Sequence, residues 1–179
     1  MPLIQPFLLP LVGLSSLGLV LSLIVHMCSL LGFPSPLGEQ AWILHVGIFV
    51  VWFPAVIVMQ ALTKEFKQKD LWRAALRGCP SLMRRMTYGF GAYALINFAI
   101  FLMLVSGHDR SAETPAAIFR GFSGHWMAFY SAALAILYSA LHAEERDDRR
   151  RCLAGHRVSP TANYCEECGQ PVHEVPKRL

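Results

Sequence analysis

Long apolar stretches separated by short polar ones dominate the first 142 residues of the chain. None of the stretches at 7–31, 42–63, 88–106 and 121–142 contains Asp, Glu, Lys or Arg. Each has about 19 to 25 residues, and a helix needs about 20 to cross a bilayer. A buried helix of this length in a soluble protein normally keeps a polar stripe. The pattern therefore predicts four transmembrane helices.

Composition agrees with this interpretation, because only 16% of the 179 residues are charged, against about 25% in soluble domains. The predicted fold class is an all-α membrane protein, in which a four-helix transmembrane bundle covers residues 1–145. A charged linker at 146–151 and a small polar segment at 152–173 complete the expected organisation. The opening "MPLIQPF" lacks the basic residues of a signal peptide, so we expect the first helix to be retained.

The polar loops between the apolar stretches differ in charge. Residues 64–87 carry seven basic and two acidic side chains, whereas residues 32–41 carry only Glu39. Because basic loops remain on the cytoplasmic side, the 64–87 loop is predicted to be cytoplasmic. Four spans then place both termini in the cytoplasm of a multi-pass plasma (inner) membrane protein.

Apolar and basic residues alternate within this same loop, "KEFKQKDLWRAALRGCPSLMRRM". Such a segment is typical of an amphipathic helix that lies on anionic lipid, where each Lys or Arg contributes about 1 kcal/mol. The alternative is a solvated connector. The expected partners of this region are therefore the lipid bilayer and anionic lipid at 64–87.

The closing segment "CLAGHRVSPTANYCEECGQPV" contains potential metal ligands at regular spacing. Cys152 and His156 form C-x3-H, and Cys165 and Cys168 form C-x2-C followed by Gly169. Zn²⁺ prefers four tetrahedral sulfur or nitrogen donors, and a C-x2-C turn places two thiolates on one metal. Cytoplasmic thiols stay reduced, which favours a metal site over a disulfide.

This segment resembles the short zinc ribbons of many bacterial membrane and regulatory proteins, of general form C-x-x-G-H…[FY]-C-x-x-C-G. The resemblance implies Zn²⁺ on Cys152, His156, Cys165 and Cys168. Many ribbons have C-x2-C in the first half, where this chain has C-x3-H, so His173 is an alternative fourth ligand. A closed four-ligand site is structural. The ribbon at 152–173 is therefore expected to bind an unknown protein partner.

Three histidines fall at one predicted depth of the bundle. Counting residues along each helix, at about 1.5 Å per residue, places His26, His45 and His125 about 5–8 Å below the outer boundary. One interpretation is a haem or second metal site in the bundle core. The other is that these amphipathic rings belong to the membrane interface, together with nearby tryptophans.

No catalytic motif stands out, since the chain lacks a nucleotide-binding loop, a nucleophile elbow and paired carboxylates. The absence of charged residues inside the spans argues against a proton-relay pump. The sequence therefore favours a non-enzymatic membrane protein that anchors a zinc ribbon for partner binding or complex assembly, with no nucleic acid expected. The competing hypothesis is a membrane redox or metal protein that uses the outer histidines.

Overall fold

The computed structural model describes residues 5–64, 66, 68–106, 115–147, 152–156, 158 and 163–172. Within these ranges the only β-structure is one isolated bridge in the tail, which confirms an all-helical main body. Short 3₁₀ turns at Gly38–Ala41 and Gln68–Asp70 precede the second and third helices. The α-helices are α1 (Gln5–Leu30), α2 (Trp42–Thr63), α3 (Leu71–Ala75), α4 (Ser81–Ser106) and α5 (Pro115–Asp147).

Helix α5 forms the centre of the bundle and packs against α1, α2 and α4. Its Trp126, Ala133, Ile136 and Leu137 are almost completely buried. Small polar side chains on the same helix, such as Ser139, are also buried, because they allow neighbouring helices to approach closely. The packing of the bundle therefore depends mainly on the surface of α5.

Three helical segments are long and apolar enough to cross a membrane: Pro6–Leu30, Gly38–Thr63 and Ser81–Met103. Their outer surfaces expose large apolar side chains, as at Leu9, which is 70% exposed, and Leu95, which is 74% exposed. Such faces require an apolar solvent, which a bilayer provides. Helix α5 is not among these segments, although it packs against all three of the helices that contain them.

Local chemistry sets the helix ends. Gly32 follows α1 in the left-handed region, at φ +74°, and the N–H groups of Gly32 and Phe33 donate to the carbonyls of Ser29 and Cys28. This is the Schellman arrangement that ends many helices. Helix α4 begins at Ser81, directly after Pro80, and thus earlier than the span start at 88 that the apolar pattern predicts.

Glycines allow α5 to pack closely against its neighbours. A Cβ atom on Gly18 of α1 would lie 2.2 Å from the Tyr130 ring, and one on Gly47 of α2 would lie 2.5 Å from the Tyr130 hydroxyl oxygen. That hydroxyl donates to the Leu44 carbonyl at 2.9 Å. Tyr130 therefore joins α5 to α1 and α2 at a point where only glycine fits.

The basic segment at 64–80 packs across one end of the bundle, which we call the basic end. Leu76 and Cys79 are fully buried, and the Cys79 thiol donates to the Ala135 carbonyl of α5 at 2.9 Å. The Gly78 N–H donates to the Ser139 hydroxyl at 2.9 Å. In the described part of this segment, the five-residue α3 follows the 3₁₀ turn at Gln68–Asp70, and Trp72 is 45% exposed. Much of the apolar surface of this segment therefore packs on protein.

Candidate metal centre

The first half of the tail site is a tight turn between Cys152 and His156. The Gly155 N–H donates to the Cys152 carbonyl at 2.9 Å, and the Cys152 N–H donates to the His156 carbonyl at 3.0 Å. Gly155 has φ +83°, a conformation that favours glycine. The turn points the His156 N–H at the Cys152 Sγ, 3.3 Å away. A ligand at C-x3-H spacing is therefore held by the backbone itself.

The second half repeats this design around Cys165 and Cys168. The Gly169 N–H donates to the Cys165 carbonyl at 2.8 Å, and Gly169 has φ +69°. The Cys165 N–H donates to the Gln170 carbonyl at 2.8 Å, and an antiparallel bridge pairs Tyr164 with Pro171. The turn therefore lies at the tip of a minimal hairpin.

The two turns bring four ligand atoms together. One atom each from Cys152, His156, Cys165 and Cys168 lies within 4.8 Å of all the others. The Cys168 and Cys152 sulfurs are 3.7 Å apart, and the Cys165 sulfur is 3.7 Å from His156 Nδ1. Tetrahedral zinc, with Zn–S of about 2.3 Å and Zn–N of about 2.0–2.1 Å, requires ligand separations of about 3.5–3.8 Å. The donor set therefore fits a four-coordinate metal ion.

The thiols of the cluster are free cysteines whose charges interact. Burial raises the pKa of Cys152, but hydrogen bonds from the His156 N–H and from the Cys165 and Cys168 thiols outweigh it, so this pKa is lowered. The Gln170 N–H lowers the pKa of Cys168, but burial and the neighbouring thiols raise it by more. A cation held by the sulfurs would offset the repulsion between neighbouring negative charges, which is strong at this distance.

His156 is the fourth donor of the described site, and its second nitrogen lies near a carboxylate. Nδ1 points towards the Cys165 sulfur, and Nε2 is 3.5 Å from Glu167 Oε2. Metal-bound histidines commonly donate their other N–H to a carboxylate, which fixes the ring. The alternative ligand, His173, lies outside the described residues.

Little apolar packing supports the tail. Its buried cluster consists of Cys152, Val158 and Cys165, with Val172 packed against it. Units below about 40 residues usually need a metal or disulfides for stability. The fold of the tail is therefore expected to depend on the bound ion, as in other small metal-binding modules.

Comparisons with known proteins give no further information about this site. A scan against protein-family models and searches of curated proteins and of solved structures return no match. The similarity to zinc ribbons thus rests on the residues of the tail alone.

Inside the bundle, His26 is buried and engages both ring nitrogens. Nδ1 lies 2.7 Å from the Ser123 hydroxyl of α5, and Nε2 lies 2.5 Å from the Tyr93 hydroxyl of α4. Next to this group, the Asn97 amide donates to the Arg120 carbonyl at 2.9 Å. His26 thus links three helices through hydrogen bonds. Sequence reasoning did not single out Tyr93, because its contact with His26 depends on how α4 packs against α1.

His45 and His125 have different neighbours from His26. The Trp126 indole N–H donates to His45 Nδ1 at 3.1 Å, and Phe122 lies edge-on to the same ring. His125 Nδ1 is 3.4 Å from the Gly121 carbonyl of its own helix, and its ring lies edge-on to Phe98 at 4.4 Å between centroids. Both rings are thus half-buried among aromatic side chains.

The three histidines do lie at one level, because they occupy or contact positions 123 to 126 of α5. They do not form a common group of ligands. Among the described residues, the tail cluster is the one set of three or more Cys, His, Asp or Glu side chains that gathers around a point. A haem site that uses two of these histidines remains a prediction.

Proposed function

We propose that this chain is a four-span plasma-membrane protein that carries a structural zinc ribbon on its cytoplasmic side, and that the ribbon binds a protein partner. The observation that carries this proposal is the convergence of Cys152, His156, Cys165 and Cys168 within 4.8 Å. This donor set, joined to long apolar helices, favours a membrane-anchored interaction module.

Zinc is the metal best suited to these donors. Three thiolates and one imidazole match the preference of Zn²⁺ for four sulfur or nitrogen ligands. Because the protein supplies all four, no position remains open for water or substrate. A structural role therefore explains the site better than a catalytic one.

Exposed apolar side chains next to the metal ligands support a binding role. Leu153 is 84% exposed and follows Cys152, and Tyr164 is 64% exposed and precedes Cys165. The small core of the tail uses Val158 and Val172 instead. Tyrosine and leucine on a metal-rigidified surface offer a partner contact area at low entropic cost.

The membrane arrangement follows from α5 and from the basic segment. Helix α5 packs along α1, α2 and α4, so it shares their environment even though it is less apolar. We infer that it is the fourth span, shielded from lipid by its neighbours. The basic excess at 64–87 supports a topology in which both termini are cytoplasmic.

Site-specific photo-crosslinking tests the binding role. A photoreactive amino acid at Leu153 or at Tyr164, in the full chain in intact cells, should give the same crosslinked protein from both positions. The adduct should disappear when Cys165→Ser is added, because the surface depends on the metal. A crosslink that survives Cys165→Ser, or no crosslink from either position, would contradict the proposal.

Cysteine labelling tests the orientation. Ser35→Cys lies between α1 and α2, and Leu82→Cys lies at the start of α4, where the side chain is 68% exposed. An impermeant reagent should label Ser35→Cys in intact cells, and Leu82→Cys only after permeabilisation. The reverse pattern would invert the topology and place the tail outside the cytoplasm.

A further inference from the structure

A groove of about 440 Å³ runs between α2 and α4 and opens away from the bundle. Small residues of α4 and α5 form part of its lining, aromatic residues form another part, and Thr87 and Leu95 complete it. Trp52 and Phe129 meet edge to face there, with ring centroids 5.0 Å apart. Trp72, from the segment at the basic end, also lines the groove. The residues that matter here are Gly91, Ala128, Ala132, Trp52, Phe129 and Trp72.

Unpaired cations lie at the basic end of this groove. Arg84 precedes Tyr88 and Gly91, two lining residues, by four and seven positions, so the three share one face of α4. Arg73 follows Trp72 and is exposed. Within the described parts of the chain, neither arginine forms an ion pair with a carboxylate. The groove is therefore apolar along its length and cationic at one end.

This combination determines the occupant. Inside a bilayer, lipid tails are as apolar as leucine, so an apolar groove alone selects nothing through the hydrophobic effect. Selection must come from the charged end, where a Lys or Arg attracts anionic lipid. With α1, α2 and α4 in the membrane, we propose that this groove binds an anionic phospholipid, with an acyl chain along Gly91 and Ala128 and the headgroup at Arg84.

Lipid retention by the purified full chain tests the charged end. The chain is titrated in detergent with phosphatidylglycerol or phosphatidylcholine that have identical acyl chains, and bound lipid is counted by native mass spectrometry. Phosphatidylglycerol should be retained preferentially. Arg84→Gln should weaken its retention about fivefold, the effect of one near-surface charge. The comparison variant, Arg85→Gln, removes the same charge about 100° further round α4, at the edge of the lining face next to Tyr88 and Ala92, and should weaken retention less.

A groove-filling substitution tests the apolar part. A Cβ at Gly91 or at Gly89 meets nothing within 4 Å, so the backbone surroundings leave room for a side chain to start at either position. Gly91→Leu should block lipid retention, whereas Gly89→Leu, which points into a different surface depression lined by His26 and Tyr93, should not.

Three results would overturn the proposal. Equal retention of the two lipids would remove the role of the charge. Equal losses of phosphatidylglycerol retention in Arg84→Gln and Arg85→Gln would mean that the lipid is attracted by the general surface charge and not by the groove. If the wild-type chain formed a dimer without bound lipid, and Gly91→Leu converted it to a monomer, a second copy of the chain would occupy the groove.

Discussion

Two regions of this chain carry histidine or cysteine in a regular arrangement: the tail at 152–168, and the level of the bundle that holds His26, His45 and His125. In the tail, ligand atoms from four side chains lie within 4.8 Å of one another. In the bundle, each histidine has its own partners. His26 contacts Ser123 and Tyr93. His45 accepts from Trp126, and His125 contacts the backbone of α5. Regular spacing therefore produced a cluster in only one of the two regions.

The two regions differ in what determines the direction of their side chains. In the tail, Gly155 and Gly169 adopt positive φ and turn the chain within a few residues, so local sequence aims the ligands. In the bundle, helical rise fixes the depth of a side chain, whereas the rotation of each helix depends on long-range packing. Sequence spacing therefore predicts well whether ligands converge in a short turn, and predicts it poorly for ligands on separate helices.

Removal of the metal should have the most different effects on the folding of the two regions. With a chelator, the tail should lose its fold while the bundle stays intact, because Val158 and Val172 supply little apolar core and a structural zinc contributes about 10–16 kcal/mol. Limited proteolysis should then cut the chain after α5 and leave a stable fragment. Cys152→Ser should be cut there without chelator. A tail that resists protease after chelation would contradict metal-dependent folding.

The stability of the bundle should depend instead on close packing between its helices. Gly18→Leu forces a side chain into the Tyr130 ring, and overpacking of this kind costs about 1–3 kcal/mol or more. The matched control is Gly13→Leu on the same helix, where a Cβ meets nothing within 4 Å. Thermal unfolding in detergent should show a lower Tm for Gly18→Leu only. Similar Tm values for both variants would mean that α1 does not pack on α5 as described.

Substitution of the bundle histidines tests whether they act as structural or ligand groups. His26→Leu leaves Ser123 and Tyr93 without their partner and should destabilise the bundle by about 1 kcal/mol. His125→Leu should have less effect, because its Nδ1 contact is a long one, 3.4 Å, within its own helix. Thermal unfolding measures both. A Soret band in the purified wild-type chain that His26→Leu abolishes would instead establish a haem site.

The smallest effect is expected at Glu167. Glu167→Gln removes the charge 3.5 Å from His156 Nε2 and should weaken zinc binding by about tenfold or less, because the carboxylate is 66% exposed. Glu166→Gln, at the neighbouring position, should leave affinity unchanged. Competition with a chromogenic chelator measures both. Equal affinities in the two variants would show that Glu167 does not orient the histidine.

The sequence predicted the helical stretches well, because charge-free apolar runs of this length have few other uses. Helix α4 begins at Ser81, before the predicted span at 88–106, because Pro80 separates the helices and Arg84 and Arg85 lie on the helix ahead of the charge-free run.

Two other features could not be predicted from the sequence. The burial of Leu76 and Cys79 depends on α5, which is distant in the chain, whereas the sequence predicted either an interfacial helix or a solvated connector at 64–87. The central position of α5 has the same origin, because it depends on contacts with α1, α2 and α4. Both depend on tertiary contacts that a local pattern does not contain.

Elemental analysis of the purified full chain tests the metal centre most directly. Wild type should contain one zinc per chain, and Cys165→Ser should contain none, because the site then lacks one of its four donors. His156→Ala should also lose the metal, whereas His173→Ala should retain it. Unchanged zinc content in Cys165→Ser would contradict the assignment of the site.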